Sequence, residues 1–395
     1  MTPHTSGQRL SQLRLGAQEP FIPVSEPMLD GNERQYLLES LTSNWISSAG
    51  PHVEMFEAAF ARCCGTQYGV ACSSGTAALH LALVSLGIGS GDEVLVPCFN
   101  LIVGVTTVLW VGAVPVLVDA DPVTWCVDAS QLEAHVSPRT KAILAVHLYG
   151  HPCDMEAILA VAKRHRLHVI EDGAQAHGAE SRGRRVGGIG DVGCFSFHAS
   201  KILTTGEGGM LVTNDPAIAA RARLLRNQAF GEPKFVHQTL GFNYRMTNLQ
   251  AAVGIAQCEK FNEKVAKKRQ LAAWYTKALA DQPGLTLCAE APWARNAYWV
   301  FGVLLRPEFG CSRDRAMRLL RDQGIETRAF FHPLHRQPAL ADKSVMGVER
   351  PDDFPVADQL GREGLYLPSG LNLSAGQVDR VARALRGCRG AGLDD

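Results

Sequence analysis

Residues 168–201 read HVIEDGAQAHGAESRGRRVGGIGDVGCFSFHASK and hold the two groups on which the interpretation depends. The apolar runs HVIED and VGCFSF are typical of buried strands. Asp172 closes the first run, at the carboxyl end of a strand, where open α/β sheets bind ligands. Lys201 follows the second run among Ala, Ser, Ile and Leu, and a lysine shielded from water can act as a Schiff-base amine. Taken singly, each could equally be an ordinary solvated side chain.

The segments on either side alternate between strand and helix patterns. EVLVP, VPVLV, KAILAVHL and GGMLVT predict strands, whereas DMEAILAVAKRHRL, PAIAARARLLRN and the long stretch 247–279 predict helices. This order predicts an α/β fold with a large parallel or mixed sheet covered on both faces. We expect an N-terminal tail at 1–25, a large domain at 26–265 and a smaller C-terminal α+β domain at 266–395.

The amino-acid composition argues against several classes of binding partner. The 395 residues carry 39 basic and 39 acidic side chains, so no global basic field favours nucleic acid or an anionic membrane. Eleven cysteines without a C-x-x-C pair favour reduced thiols in the cytoplasm over a disulfide framework or a zinc site, and we expect no metal. Residues 94–118 carry no charge, but prolines and glycines divide them, so we predict strand, turn, buried helix and strand rather than a membrane span.

Two glycine-containing segments bear on phosphate binding. Ser73-Ser74-Gly75-Thr76 opens a predicted helix, whose free N–H groups and positive dipole end suit a phosphate, although simple capping explains the pattern as well. Gly188-Ile-Gly190-Asp-Val-Gly193 has the letters of a dinucleotide fingerprint, but it runs into the strand CFSF instead of a helix. We therefore interpret its glycines as turn residues.

In this order and spacing, the pieces resemble the DegT/StrS group of sugar aminotransferases, which are fold-type-I pyridoxal phosphate (PLP) enzymes. The resemblance runs through most of the chain, from NWISSAGPHVEMFE through SSGTAALHLALVSLGIGSGDEVLVP, VIEDGAQAHGA, GDVGCFSFHASKILTTGEGGMLVT and GFNYRMTNLQAA to IETRAFFHPLHRQP. It is strongest to the perosamine-synthase-like branch, which aminates a ketone on a nucleotide-linked sugar. The implied fold is a large mixed-sheet α/β domain with a smaller C-terminal α+β domain.

Carried over by position, the resemblance implies roles for individual residues. Lys201 would form the Schiff base with PLP and later move a proton, and Asp172 would pair with the pyridine nitrogen. Asn243 would reach the phosphate from a second subunit, which implies a homodimer with shared active sites. The other implied PLP contacts are Gly75, Thr76 and Ser196 for the phosphate, Gln175 for the ring hydroxyl and Ala174 for one ring face. The candidates for substrate contacts are His198, Arg245, His332 and His335.

One position departs from the pattern of the group. Many relatives place an aromatic residue on the outer face of the PLP ring, within P-x-x-T-[aromatic], where this chain has Pro97-Cys-Phe-Asn-Leu101. Leu101 can cover the ring but cannot stack on it. Either Phe99 moves into that place or PLP is bound less tightly.

The resemblance thus implies a PLP-dependent transaminase that moves an amino group from an amino acid, expected to be glutamate, to a keto-sugar, expected to be nucleotide-linked. A keto-cyclitol is the alternative acceptor. PLP-dependent sugar dehydratases of this group lose the Schiff-base lysine, so Lys201 argues against that reaction. A non-catalytic binding protein with this fold would not need the lysine, aspartate, glutamine and serine together.

Overall fold

The computed structural model describes residues 20–233, 235–341 and 354–392, so most of the predicted N-terminal tail lies outside the described residues. The helices of the described part are α1 (Glu33–Thr42), α2 (Pro51–Cys64), α3 (Gly75–Ser85), α4 (Val103–Trp110), α5 (Met155–His165), α6 (Pro216–Arg226), α7 (Asn248–Glu259), α8 (Phe261–Leu279), α9 (Arg313–Asp322), α10 (Pro355–Glu363) and α11 (Ala375–Gly387). Its strands are β1 (Tyr68–Cys72), β2 (Glu93–Pro97), β3 (Val114–Val118), β4 (Thr140–Val146), β5 (His168–Asp172), β6 (Glu180–Ser181), β7 (Arg184–Arg185), β8 (Val192–Ser196), β9 (Gly209–Thr213), β10 (Leu285–Leu287), β11 (Ala294–Arg295), β12 (Phe301–Leu305), β13 (Arg328–Ala329) and β14 (Gly364–Leu367).

A seven-stranded sheet forms the centre of the larger part, in the order β1-β9-β8-β5-β4-β2-β3. Strands β3, β2, β4, β5 and β8 run parallel, whereas β9 is antiparallel to both β1 and β8. Every residue of β2 and β9 is buried, as expected for strands covered on both faces. The predicted mixed α/β sheet is confirmed. Because β5 and β8 are parallel neighbours, the residues that follow them emerge at the same edge of the sheet.

The uncharged stretch 94–118 folds as predicted. It forms β2, the helix α4 and β3, and β2 pairs with β3 in parallel within the large sheet. The loop with the glycines at 188 and 190 likewise leads into a strand, β8, as the sequence indicated. Within the described residues, no helix is long and apolar enough to cross a membrane.

A second core surrounds the four-stranded sheet β10-β12-β14-β13. Helix α8 passes from one core to the other, because Val265 packs in the large core and Leu271 in the second. The predicted domain boundary at residue 265 stays a prediction, and we propose to place it inside α8. The predicted tail at 1–25 also stays a prediction; within it, Ile22 is fully buried in the second core and pairs with Ile325.

Candidate active site

The N-terminus of α3 forms one wall of a cavity at the edge of the large sheet. Ser74 caps this helix, since its hydroxyl oxygen accepts a hydrogen bond from Ala77 N at 3.1 Å. A Cβ atom added to Gly75 would lie 2.7 Å from Ser196 Cβ, so only glycine lets the end of β8 approach the helix this closely. The N–H groups of Gly75 and Thr76 therefore begin a helix directly beside the Ser196 hydroxyl.

Asp172 ends β5 in the middle of the sheet and is almost fully buried. Its Oδ1 accepts a hydrogen bond from Ala174 N at 3.0 Å. Burial raises the pKa of the Asp172 carboxyl above its ordinary value, and the Ala174 N–H and the charge of Lys201 oppose that shift. A positive group placed beside this carboxylate would favour its charged form further.

Lys201 lies in the loop after β8, and its amine faces the same cavity. Its backbone N–H donates to His198 O at 2.9 Å, which closes the loop as a turn. Loss of water around the buried ammonium lowers the pKa of Lys201 to about 8, and the nearby Asp172 opposes that shift. An amine with this pKa is available as a base or nucleophile at a pH where an exposed lysine is charged.

The three elements meet in one cavity of about 550 Å³. The resemblance implied this meeting, and the position of Asp172 at a strand end agrees with the rule that open α/β sheets bind ligands at that edge. The cavity contains most of the predicted site residues, namely Gly75, Thr76, Leu101, Asp172, Ala174, Gln175, Ser196, His198 and Lys201.

Four predicted residues lie away from this cavity in the described part of the chain. Asn243 is exposed on the loop before α7, and Arg245 Nη1 donates to Asn227 Oδ1 at 2.9 Å. His332 Nε2 lies 3.1 Å from Arg336 O, at the surface. The side chain of His335 is 1% exposed and sits between Cys98 Sγ and Asp358 Oδ1, each 3.0 Å away. A histidine enclosed in this way packs the small domain against β2 rather than facing the cavity.

The cavity also contains residues that sequence reasoning missed. Trp299, Arg328 and Tyr366 come from the second sheet and its edges, and Asn100 comes from the loop after β2. The amide nitrogen of Asn100 is buried and has no hydrogen-bond partner among the described residues. The resemblance included the segment around Arg328, but nothing in the stretch AYWVFGVLL separated Trp299 from ordinary core aromatics.

The sheet topology and this cavity place the protein in the class of PLP-dependent aminotransferases. Within that class, the chain belongs to the DegT/DnrJ/EryC1/StrS aminotransferase family, which matches residues 27–386. This confirms the predicted family, fold class, enzyme type and cofactor.

Individual relatives cover nearly the whole chain. It is 47% identical to GDP-perosamine synthase of Caulobacter vibrioides over 93% of this chain and 98% of that protein. It is 40% identical to GDP-perosamine synthase of Escherichia coli O157:H7 over 92% of this chain and 98% of that protein. The crystal structure of DesV from S. venezuelae in complex with a ketimine intermediate has a TM-score of 0.87 and 38% identity, and covers 93% of this chain and 98% of that one.

The residues of the cavity fit PLP. The glycine at position 75 leaves a space beside Ser196 that a Cβ would fill, at a helix N-terminus suited to a phosphate. The amide nitrogen of Asn100 is a buried donor without a hydrogen-bond acceptor among the described residues, so a ligand atom could accept from it. Asp172 is a buried carboxylate that could pair with a protonated ring nitrogen. The donor set thus supplies a partner for each polar region of the cofactor.

Leu101 lines the cavity at the position where many relatives have an aromatic residue. It is 48% exposed, whereas Phe99 is 1% exposed and packs against Tyr149, Phe330 and Phe331. Phe99 therefore does not line the cavity, and looser PLP binding stays the prediction for this position.

We expect Leu101→Tyr to tighten PLP binding. Stacking contributes about 0.5–1.5 kcal/mol beyond burial, which corresponds to a roughly 2- to 12-fold lower Kd. Fluorescence titration of the apoprotein with PLP measures this change. Leu101→Met, which adds no aromatic face, is the matched control and should bind like the parent. Unchanged or weaker affinity in Leu101→Tyr would contradict the placement of residue 101 on the ring face.

Proposed function

We propose that this enzyme transfers an amino group from an amino acid, glutamate in the first instance, to the keto group of a GDP-linked sugar. The observation that carries the proposal is the shared cavity of Lys201, Asp172 and the N-terminus of α3. The named GDP-perosamine synthases, at 47% and 40% identity, support the nucleotide-linked acceptor. The structure of DesI in the presence of its TDP-sugar product, with 32% identity and a TM-score of 0.86, supports a nucleotide-linked sugar more generally.

The chain's own residues would hold PLP at its phosphate, its ring hydroxyl and its ring nitrogen. We assign the phosphate to the backbone N–H groups of Gly75 and Thr76 and to the Ser196 hydroxyl. Gln175 is assigned to the ring hydroxyl; its carbonyl oxygen accepts from Tyr149 N at 2.9 Å, which fixes the amide. The two ring faces are assigned to Ala174 and Leu101, which both line the cavity.

Lys201 would act first as the covalent anchor of PLP and then as the proton carrier. When bound, PLP supplies an electron sink for the carbon that loses its proton. Burial lowers the pKa of Lys201 to about 8, so a large fraction of its amine is neutral near that pH and can accept a proton. The same group then returns that proton to a neighbouring atom without leaving the cavity.

Asp172 would hold the ring nitrogen in its protonated form. Its carboxylate is buried, so an interaction with a cation is stronger there than in water. The Ala174 N–H keeps one oxygen in place and leaves the other for the ligand. The side chain therefore orients the cofactor and sets its charge at the same time.

Both substrates carry negative charge, and the cavity has a second cation to meet them. Arg328 comes from the second sheet, lines the cavity and lies 3.5 Å from Glu326. A nucleotide-linked sugar is favoured over a keto-cyclitol because the similar relatives are named GDP-perosamine synthases. The presence of Lys201 argues against a sugar dehydratase.

We propose a homodimer in which Asn243 completes the partner's phosphate site. Asn243 is exposed and does not line its own cavity, and it lies on the loop that carries the exposed Leu240. Trp110, at the end of α4, is 56% exposed, and its ring and that of Phe242 both contact His80, so a second exposed apolar side chain lies near this loop. The eleven free cysteines support a reducing compartment such as the cytoplasm. The equal numbers of acidic and basic residues give no net positive charge that would favour nucleic acid as a partner.

A transamination assay tests the proposed function directly. The PLP-loaded protein should convert a GDP-linked keto-sugar to an amino sugar only when glutamate is present, with 2-oxoglutarate formed in equal amount, as mass spectrometry can follow. Keto-cyclitols and other amino acids are tested in parallel. Conversion of keto-cyclitols alone would replace the proposed acceptor, and conversion without glutamate dependence would replace the donor.

A further inference from the structure

The ring of Trp299 lies directly against the Lys201 amine in the cavity. Lys201 Nζ lies 3.7 Å from the centroid of this ring, well inside the range of a cation–π interaction. Trp299 is buried and lies two residues before β12, so it comes from the second sheet and not from the loop that carries Lys201. It does not belong to any of the motifs that identified the site.

Three contacts fix Trp299 in place. Its indole N–H donates to Ser200 O at 2.7 Å, directly before Lys201 in the chain. Its carbonyl oxygen accepts from the buried Lys268 Nζ at 2.9 Å, and the same ammonium group donates to Ser369 O. A Cβ on Gly150 would lie 2.7 Å from Trp299 N, so the backbone is also closely packed. A side chain held at both its ring and its backbone is suited to position another group.

The ring favours the charged amine without adding a second carboxylate. An indole face stabilises an ammonium by its quadrupole, most strongly where water is excluded. The other titratable groups lining the cavity are Asp172, His198, Glu207, Arg328 and Tyr366. His177 lies behind it; burial lowers the pKa of His177 to about 3, and the charge of Lys201 adds to that shift. Asp172 and Trp299 therefore act together against the desolvation of Lys201.

We propose that Trp299 is a positioning residue for Lys201: its ring holds the ε-amine inside the cavity whenever that amine is not covalently bound. This inference rests on the proposed role of Lys201. In that role, the amine must be free at one stage, charged at the next, and always within reach of the cofactor. The ring holds the charged form, and the hydrogen bond from the Trp299 indole N–H to Ser200 O keeps the Lys201 loop in place beside it.

The test is the pH dependence of PLP recombination with the full-length apoprotein, followed by the visible absorption of bound PLP. Covalent binding needs the neutral amine, so the rate falls as the pH drops below the pKa of Lys201, which is about 8 in the parent. Trp299→Leu removes the ring, and we expect this midpoint to fall by about one pH unit. Trp299→Phe keeps an aromatic face but loses the bond to Ser200 O, and should remain nearer the parent value.

Steady-state kinetics give a second readout. For Trp299→Leu, kcat should fall by about tenfold with little change in KM for the keto-sugar, because only the Lys201 amine is displaced. Trp125→Leu is the matched control: Trp125 is equally buried but packs on Phe330, outside the cavity, and should lose stability without shifting the midpoint. An unshifted or raised midpoint in Trp299→Leu would overturn the inference. If PLP still recombines with Lys201→Ala, which lacks the amine at residue 201, the proposed function would instead be overturned.

Discussion

Replacing Lys201 by alanine should lower kcat by at least about 10³-fold, because the substitution removes both the covalent anchor and the proton carrier. Borohydride reduction of the PLP-loaded parent should leave the cofactor attached to the peptide that contains residue 201, and the variant should show no such peptide. Lys267→Ala is the matched control, since Lys267 pairs with Glu263 on the outside of α8. Turnover at the parental rate in Lys201→Ala would refute the assignment.

The same variant tests the shared active site. Asn243→Asp would place a negative charge where the partner's phosphate is expected, so this variant alone should bind PLP poorly. When Lys201→Ala and Asn243→Asp chains are co-expressed, half of the dimers are mixed and each mixed dimer has one intact site. Activity should therefore return to about a quarter of the parental value. If the mixture stays inactive, the proposal that Asn243 serves the partner's cavity is wrong.

Asp172→Asn should separate stability from activity. The variant keeps the shape of the side chain and the bond from Ala174 N, but it cannot hold a positive charge on the ring nitrogen. We expect kcat to fall on the order of 10²- to 10³-fold, the usual loss when one preorganised electrostatic partner is removed. The apoprotein should be as stable as the parent or more so, because burial already disfavours the charge of Asp172. Thermal unfolding and kcat measure the two effects.

Asp191→Asn is the control for this change. Asp191 lies directly before β8 and accepts a hydrogen bond from Val169 N at 2.8 Å, at the opposite end of β5 from Asp172, so the substitution removes an acid that contacts β5 without touching the cavity. Its kcat should match the parent. Normal turnover in Asp172→Asn, or an equal loss in both variants, would argue against a charge on the ring nitrogen as the function of Asp172.

Local patterns in the sequence were sufficient to predict most of the large sheet. Strands such as EVLVP and HVIED are short buried runs between turn residues, and the structure has them at Glu93–Pro97 and His168–Asp172. The long helical stretch 247–279 forms two helices, because it breaks at Lys260 between α7 and α8. The apolar spacing continues across that break, so periodicity alone could not reveal it.

The sequence by itself determined the alternation of strands and helices and the residues at their ends, and its resemblance to the DegT/StrS group implied that Gly75, Asp172 and Lys201 share one site. Their meeting follows from the rule that ligands bind at the carboxyl edge of such a sheet. Only the tertiary structure decided what comes to that edge from elsewhere. Trp299 reaches Lys201, and His335 is buried against Cys98, through packing between segments about 100 or more residues apart. Such contacts depend on how the two cores fit together, and no local spacing records that fit.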